Sequence, residues 1–218
     1  MVFNSNPLLN PLTQSVVAGE PETAVALAKQ ALATGIDPLD VINLGLVPGI
    51  QYMGEQFAAG EMFLPDLMLA AEAMKQAIAV LEPEMTRRGT HRQVLGRVVI
   101  GTIQGDIHEI GKNLVATLLS ASGFEVFDLG VDVPPLKFAE QARAVKADIV
   151  GISALLTTTM VRQREVIKAL EELGLRPGTK VMVGGAPVTR RWSEQIGADG
   201  YSEDAVGAVQ VAKSLLGL

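Results

Sequence analysis

The stretch RVVIGTIQGDIHEIGKNLVATLL, residues 97 to 119, joins a short β-rich run to a loop and then to a helical pattern. The run RVVIGT is almost continuously apolar and ends in small residues, which is typical of a strand buried in a parallel sheet. A strand that is followed directly by a helix forms one βα unit. The stretch therefore predicts an α/β fold for the part of the chain around it.

The same βα pattern recurs along the rest of the chain. Further β-rich runs are FEVFDLG (124–130), DIVGIS (148–153) and KVMVGG (180–185), and each is followed by a helical pattern. A weaker fifth strand is predicted near residues 198 to 201, before a closing helix over residues 204 to 216. Five such units predict a doubly wound, flavodoxin- and Rossmann-like sheet of five parallel strands in the order 2-1-3-4-5.

The predicted strand order also indicates where a ligand binds. Sheets of this kind bind ligands beyond the carboxyl ends of the strands, at the point where the strand order reverses. In the order 2-1-3-4-5 that point lies between the first and third strands. We therefore expect the loop of residues 103 to 111 to face the loop of residues 153 to 159, with a binding site between them.

The N-terminal part of the sequence has a helical period instead. From Pro21 to about Leu81 the apolar positions recur every three or four residues, and Pro21 and Asp37-Pro38 mark helix starts. This pattern predicts an all-α unit, a bundle of four helices. Three methionines are expected in its core: Met62, Met68 and Met74.

Residues 82 to 93, EPEMTRRGTHRQ, interrupt the helical pattern with a proline, a glycine and a cluster of charges. This composition is typical of an exposed connection between domains. We therefore expect an all-α domain at residues 1–90 and an α/β domain at residues 91–218. His91 is expected to be a solvated residue of the connection.

Composition and charge exclude several classes of function. The net charge of −6 and the isoelectric point near 5.0 argue against nucleic acid as a partner. Signals for secretion and for membrane insertion are absent from the sequence, so we expect a cytoplasmic protein with no membrane partner. The sequence has no cysteine and two histidines. Any metal chemistry is therefore expected to depend on a cofactor.

The loop GDIHEIGKN, residues 105 to 113, is the most unusual part of the sequence. A phosphate-binding P-loop is the nearest alternative, but the spacing from Gly105 to Gly111 is one residue too long. Asn113 stands where a P-loop needs a hydroxyl for magnesium, and Asp106 and Glu109 would repel phosphate oxygens. The G-x-G-x-x-G dinucleotide motif is also absent.

Asp106 precedes His108 by two residues, so its carboxylate could accept one imidazole N–H and leave the other ring nitrogen as a metal ligand. A loop histidine beside an acid is also compatible with a solvated surface pair. The spacing alone leaves both interpretations open.

The segment Asp106-Ile107-His108-Glu109-Ile110-Gly111 resembles the D-x-H-x-x-G cobalamin-binding signature of corrinoid methyltransferase proteins and of cobalamin-dependent methionine synthase. SALLTTT (153–159) resembles the S-x-L segment of that family, and Gly184-Gly185 resembles its paired glycines. GEQFAAGEMFLPDLMLAAEAM (54–74) is similar to the helical cap that covers the cofactor. The resemblance extends from about residue 15 to about residue 215.

The resemblance implies that the cofactor is cobalamin or a related corrinoid, which cycles between cob(I)alamin and methylcob(III)alamin. In the family the nucleotide tail of the cofactor leaves the cobalt and enters the α/β domain, and a histidine takes its place as metal ligand. That histidine is His108 here. Asp106 would hold its imidazole and Thr159 would complete the relay, so these three residues are the candidate catalytic group.

The resemblance also implies a set of residues that contact the cofactor. Ala205 matches a position at the far end of the tail pocket. Phe57, Leu64 and Leu67 match cap residues that shield the methyl group, although plain core packing is the alternative, above all for Leu67. Beside Asp106 and His108, the remaining candidates are Gly105, Ile107, Glu109, Gly111, Ser153, Leu155, Thr157, Gly184 and Gly185.

The function implied is that of a corrinoid methyl carrier. It would accept a methyl group from a donor held by a substrate-specific methyltransferase and deliver it through an acceptor methyltransferase, without catalysis by the chain alone. A reductive activator is a further candidate partner. Domain motion through residues 82 to 93 would open the cap. A cobalamin-binding sensor and a mutase cobalamin subunit are the alternatives, and methylamines, betaines, methanol and aryl methyl ethers remain open as donors.

Overall fold

The structure is a computed structural model that describes residues 6–89 and 94–218. The chain divides into two compact units, Met1–Gln93 and Val94–Leu218. The first unit is helical and the second is α/β.

The first unit confirms the predicted helical fold. Asp37 caps the helical run that begins at Pro38, because its carboxylate accepts a hydrogen bond from the Leu39 N–H at 2.8 Å. That run continues through a π-helical turn. The elements are α1 (Leu9–Val17), α2 (Pro21–Ala33), α3 (Pro38–Asp40), the π-helix Val41–Leu46, α4 (Val47–Ala58) and α5 (Leu64–Arg88). Helix α1 precedes Pro21, so it lies before the run in which the periodicity placed helices.

Helix α5 packs against α2. Both helices bury alanines at helical spacing, namely Ala24, Ala28 and Ala31 on α2 and Ala70, Ala73 and Ala77 on α5. Small side chains allow close packing of the two helices. The prediction for the methionines was wrong at Met68, which is 48% exposed, whereas Met74 is buried and Met62 is half-buried. The buried stripe lies further round the helix than the periodicity suggested.

The predicted start of the connection at residue 82 was wrong. Helix α5 continues through Pro83 to Arg88 and ends at Gly89, which adopts a φ of +65°. Glu84 binds both Arg87 and Arg88, one turn further along the helix, and these pairs support the helix beyond the proline. His91 and the rest of residues 90–93 lie outside the described residues.

Although α5 is 25 residues long, neither it nor any other helix in the two described ranges has the length and apolar character that a membrane crossing requires.

The second unit confirms the predicted sheet. Its five strands run parallel in the order β2-β1-β3-β4-β5. The strands are β1 (Arg97–Thr102), β2 (Glu125–Asp128), β3 (Ile149–Ser153), β4 (Lys180–Gly184) and β5 (Gly200–Tyr201). The helices are α6 (Ile110–Ala121), α7 (Pro135–Val145), α8 (Thr157–Met160), α9 (Gln163–Glu172), α10 (Arg190–Ile196) and α11 (Ala205–Leu215).

The two faces of the sheet are covered by different helices. Val99, Val150 and Val181 point to one face, where they share a buried core with Phe138 of α7 and Leu170 of α9. Helices α6 and α11 pack against each other and belong to the other face. Because β1 lies between β2 and β3, the loops that follow β1 and β3 leave the sheet side by side.

Gly185, directly after β4, is required by a close approach of two backbone segments. Its φ is +120°, and an added Cβ would lie 1.8 Å from the carbonyl oxygen of Ala154. No side chain fits there without a shift of the backbone. Gly185 therefore has a structural role, whatever else it contacts, whereas an added Cβ at Gly184 would meet only an ordinary contact with the Ser202 carbonyl at 3.6 Å.

We expect Gly185→Ala to lower the free energy of unfolding of the apoprotein by about 3 kcal/mol or more, because both the positive φ and the clash oppose it. The matched control is Gly174→Ala. Gly174 has a φ of +68° but nothing within 4 Å of an added Cβ, so about 1 kcal/mol is expected there. Urea unfolding checks both values, and equal losses in the two variants would contradict the steric explanation.

Candidate functional site

The carboxylate of Asp106 joins the loop after β1 to the loop after β3. Its Oδ1 accepts hydrogen bonds from the ring Nδ1 of His108 at 2.7 Å and from the His108 backbone N–H at 3.1 Å. Its Oδ2 accepts from the backbone N–H groups of Leu155 (2.8 Å) and Leu156 (3.3 Å) and from the Thr159 hydroxyl (2.7 Å). Each carboxylate oxygen therefore accepts at least two hydrogen bonds from the protein itself.

Asp106 is completely buried. Burial by itself raises the pKa of its carboxyl, but the hydrogen bonds from Thr159, from His108 and from the Leu155 backbone outweigh burial and hold the pKa below its ordinary value of 3.8. Asp106 is therefore an anion at neutral pH. As an anion it can only accept hydrogen bonds.

The orientation of His108 follows from this anion. Since Asp106 can only accept, Nδ1 of the ring must carry the proton, and the neutral imidazole then has its lone pair on Nε2. The side chain is 47% exposed. Within the described ranges Nε2 has no hydrogen-bond partner. A single imidazole nitrogen presented in this way suits a metal whose other ligands come from a cofactor.

The backbone of the His108 loop is held by residues that the sequence reasoning missed. The Asp132 carboxylate accepts a hydrogen bond from the Gly105 N–H at 2.7 Å, and the Asp132 N–H donates to the Asp106 carbonyl at 2.9 Å. The Thr102 hydroxyl donates to the His108 carbonyl at 2.9 Å. Asp132 adopts a φ of +54°, which is uncommon for a residue other than glycine. No local sequence signal links residue 132 to residue 105.

A cavity of about 640 Å³ opens beside His108 and extends between the sheet and helices α6 and α11. Its volume is in the usual range for ligand sites, about 300–1,000 Å³. Nine of the predicted cofactor-contacting residues line it, from both loops, the end of β4 and the start of α11. They are Ile107, His108, Glu109, Gly111, Ser153, Leu155, Gly184, Gly185 and Ala205.

The other predicted site residues lie elsewhere. Asp106, Gly105 and Thr159 support the loop from behind the cavity, and Thr157 is exposed at the start of α8. The three cap candidates belong to the helical unit, where Leu67 is buried and Phe57 and Leu64 are half-buried. Phe63, which the sequence reasoning did not select, is 78% exposed beside Leu64.

Lys112 gives a structural reason against the P-loop alternative. Its side chain is buried, and Nζ donates hydrogen bonds to the Asp128 carboxylate and to Asn113 Oδ1. In a P-loop the lysine reaches the phosphates. Here the ammonium group is already bonded to the end of β2, so Lys112 fastens α6 to the sheet.

Both units match families of the same class. A family model described as B12 binding domain matches residues 96–210, and a second model with the same description matches residues 8–82. An α/β domain with a presented imidazole beside an apolar cavity, together with a helical unit of this family, defines a cobalamin-binding protein.

Similar proteins specify the family further. Trimethylamine corrinoid protein 2 from Methanosarcina acetivorans is 50% identical over 202 residues, which are 93% of each chain. Dimethylamine corrinoid protein 2 from the same organism is 46% identical over 96% of each chain. The methanol:cobalamin methyltransferase complex from Methanosarcina barkeri contains a chain that superposes with a TM-score of 0.90, at 31% identity, covering 99% of this chain and 82% of that one. This chain belongs to the corrinoid proteins of methyltransferase systems, and its cofactor is cobalamin or a related corrinoid.

We expect Thr159→Val to reduce the free energy of unfolding of the apoprotein at neutral pH by about 1.5–3 kcal/mol, since it removes a buried hydrogen bond to an anion. The pKa of folded Asp106 lies below its ordinary value of 3.8. The stabilisation is therefore fully present above about pH 4 and is lost as the pH falls through the folded-state pKa. Urea unfolding at pH 7 should show the full gap between wild type and variant, and the gap should begin to narrow only at a pH well below 3.8.

The control for that experiment is Thr158→Val, which changes the exposed neighbouring residue of α8. Its stability should stay within about 0.5 kcal/mol of wild type at each pH. A Thr159→Val variant as stable as wild type at pH 7 would contradict the assigned hydrogen bond.

For Asp132 the measured quantity is the hydrogen exchange rate of the Gly105 amide in the apoprotein. We expect Asp132→Gly to raise this rate about tenfold, because it removes the acceptor of the Gly105 N–H. Asp132→Asn retains an acceptor oxygen and tolerates the positive φ, so exchange should stay near wild type. Lys146→Gly is the control, since Lys146 has a φ of +53° and lies outside the loop. Equal rates in Asp132→Gly and wild type would show that Asp132 does not restrain the loop.

Proposed function

We propose that this chain is the methyl-carrying corrinoid subunit of a methylamine-type methyltransferase system. The observation that carries the proposal is the presented Nε2 of His108 at the mouth of a large apolar cavity, in a chain 50% identical to a trimethylamine corrinoid protein. The bound corrinoid supplies a cobalt atom that accepts a methyl group and gives it up again.

In this proposal His108 is the protein ligand of the cobalt, through Nε2. Asp106 keeps the proton on Nδ1 and so keeps the lone pair on Nε2, and Thr159 in turn donates its hydroxyl proton to Asp106. The three side chains form one hydrogen-bonded series from the cavity mouth to a buried hydroxyl. They hold a single proton at Nδ1 while the ligand nitrogen remains free to bind.

The cavity would hold the nucleotide tail of the cofactor. Ser153, Gly184 and Ala205 stand on different walls of it, and the small side chains leave room for a bulky group. Beside its mouth Ile107 and Ile110 are 73% and 80% exposed. Exposed apolar side chains on both sides of a ligand histidine suit contact with the flat face of a corrin ring.

We extend the proposal to the domains and partners. Residues 1–90 would act as the cap, with Phe57, Leu64 and Leu67 excluding water from the methyl group, and residues 91–218 would bind the cofactor. The connection between them would allow the cap to open. A substrate-specific methyltransferase, an acceptor methyltransferase and a reductive activator are the proposed partners, and the cytoplasm is the proposed location.

A methylated amine is the proposed methyl donor. The support is similarity to relatives that are named for trimethylamine and dimethylamine, at 50% and 46% identity over nearly the whole chain. The matched chain of the methanol:cobalamin methyltransferase complex is less similar, at 31% identity. The reduced, cofactor-loaded protein is incubated in parallel with a trimethylamine methyltransferase and trimethylamine, and with a methanol methyltransferase and methanol, and the methylated cofactor is measured by absorbance. Methylation from methanol alone would contradict it.

The ligand role is tested by reconstitution with hydroxocobalamin, gel filtration and absorption spectroscopy. We expect wild type to retain the cofactor with an imidazole nitrogen bound to cobalt. His108→Ala should retain the cofactor through the cavity but lose the imidazole spectrum. His91→Ala, which changes the other histidine of the sequence, should match wild type. A colourless wild-type protein would refute the proposed function, and an unchanged His108→Ala spectrum would refute the ligand role.

A further inference from the structure

The sheet wall of the cavity can be divided into levels, because the register of the parallel strands is known. Ser153 and Gly184 are paired at the mouth, level with the end of β1. Two residues below them, Ile100, Gly151 and Met182 form one row across three strands. Val98 lies two residues lower again, which places it about 13 Å from the end of the strand. The lower wall therefore presents only apolar groups.

The helical walls of the cavity also become apolar from the mouth towards the floor. Helix α6 starts beside His108 at the mouth, and Leu119, nine residues further along, lies about 13 Å down its axis. Val115 lies between these levels, and Ala208 is one turn into α11 on the opposite wall. Leu119 and Val98 thus lie at the same depth and form the floor of the cavity.

Polar groups near the lower part of the cavity already have partners. The backbone groups of the strand wall are used in the ladders between β1, β3 and β4. In the residues that the structure describes, every buried side-chain nitrogen or oxygen has a hydrogen-bond partner. Lys112 also lines the cavity, but its ammonium group is bonded to Asp128 and Asn113. A polar group that reached the floor would therefore find, among the residues that the structure describes, no buried side-chain donor or acceptor that lacks a partner.

We propose that this floor selects corrinoids by the polarity of their nucleotide base, accepting an apolar benzimidazole and rejecting adenine. The inference rests on the proposed function, since it requires that the tail occupies the cavity. Dimethylbenzimidazole places a carbocyclic ring and two methyl groups against Val98 and Leu119. Adenine places an amino group and two ring nitrogens there instead.

The size of the discrimination follows from the hydrogen bonds that adenine loses on leaving water. Each buried polar group without a partner weakens binding about tenfold or more, and the apolar base gains from contact with the floor. We expect the corrinoid with adenine to bind at least about 100-fold more weakly than cobalamin. Its affinity should approach that of cobinamide, which has no nucleotide base.

The experiment measures equilibrium binding of three probes to the full-length apoprotein by equilibrium dialysis, with absorbance readout. The probes are cobalamin, pseudocobalamin and cobinamide. Pseudocobalamin has the same corrin ring as cobalamin but carries adenine as the base of its nucleotide tail. In free solution the nucleotide base can itself bind the cobalt. The equilibrium constant for release of the base is therefore measured for each free corrinoid that carries one, and the measured affinities are corrected for it. Cobalamin binding at least about 100-fold tighter than both others supports the inference.

Equal affinity for cobalamin and pseudocobalamin, with both above cobinamide, overturns the inference while leaving the proposed function intact. Cobalamin that binds no tighter than cobinamide also overturns it, because the base then gains nothing from the cavity. Failure of all three corrinoids to bind overturns the proposed function, and the inference with it.

A pair of variants tests the floor directly. Val98→Thr keeps the side-chain volume and adds a hydroxyl at the floor, so the preference for cobalamin over pseudocobalamin should fall severalfold. Val99→Thr is the matched control, since Val99 is equally buried on the same strand but packs in the core on the opposite face. Its preference should equal that of wild type. An unchanged preference in folded Val98→Thr protein, checked by circular dichroism, overturns the assignment of the floor.

Discussion

The site depends on one buried anion, the carboxylate of Asp106, which joins two loops that are far apart in the sequence. A buried charge is tolerated only when it is paired or fully hydrogen-bonded. Here the loop after β3 supplies two backbone N–H groups and a hydroxyl, and His108 supplies its ring nitrogen. The hydrogen bonding of Asp106 therefore depends on the strand order, because β1 and β3 must be adjacent for these donors to reach one carboxylate.

The sequence contained most of the architecture of the α/β unit. Its strands are short apolar runs ending in small residues, and their parallel pairing and order follow from general rules on βα units. The helices of the first unit were predicted less completely from the sequence. Helix α1 is short and mixed in composition, so its apolar pattern is weak. Pro83 predicts the end of a helix, but α5 continues beyond it, where Glu84 pairs with Arg87 and Arg88.

Within the site, local signals and tertiary contacts differ in how far the sequence predicts them. The motif around His108 is contiguous, so resemblance and chemistry both pointed to it. Asp132 acts on Gly105 from another loop, and Val98 and Ile100 look like ordinary core residues of a buried strand. Their roles depend on which strands are neighbours in the sheet and on where helices α6 and α11 leave a cavity. Short sequence patterns predict neither of these tertiary features.

The hydrogen bonds around His108 have a consequence for how the cofactor is captured. Every partner that aims the imidazole belongs to the folded protein, so the ring is preorganised for coordination before the metal arrives. In the proposed coordination of cobalt by His108, the ring would therefore lose little rotational entropy, because its orientation is already fixed in the apoprotein.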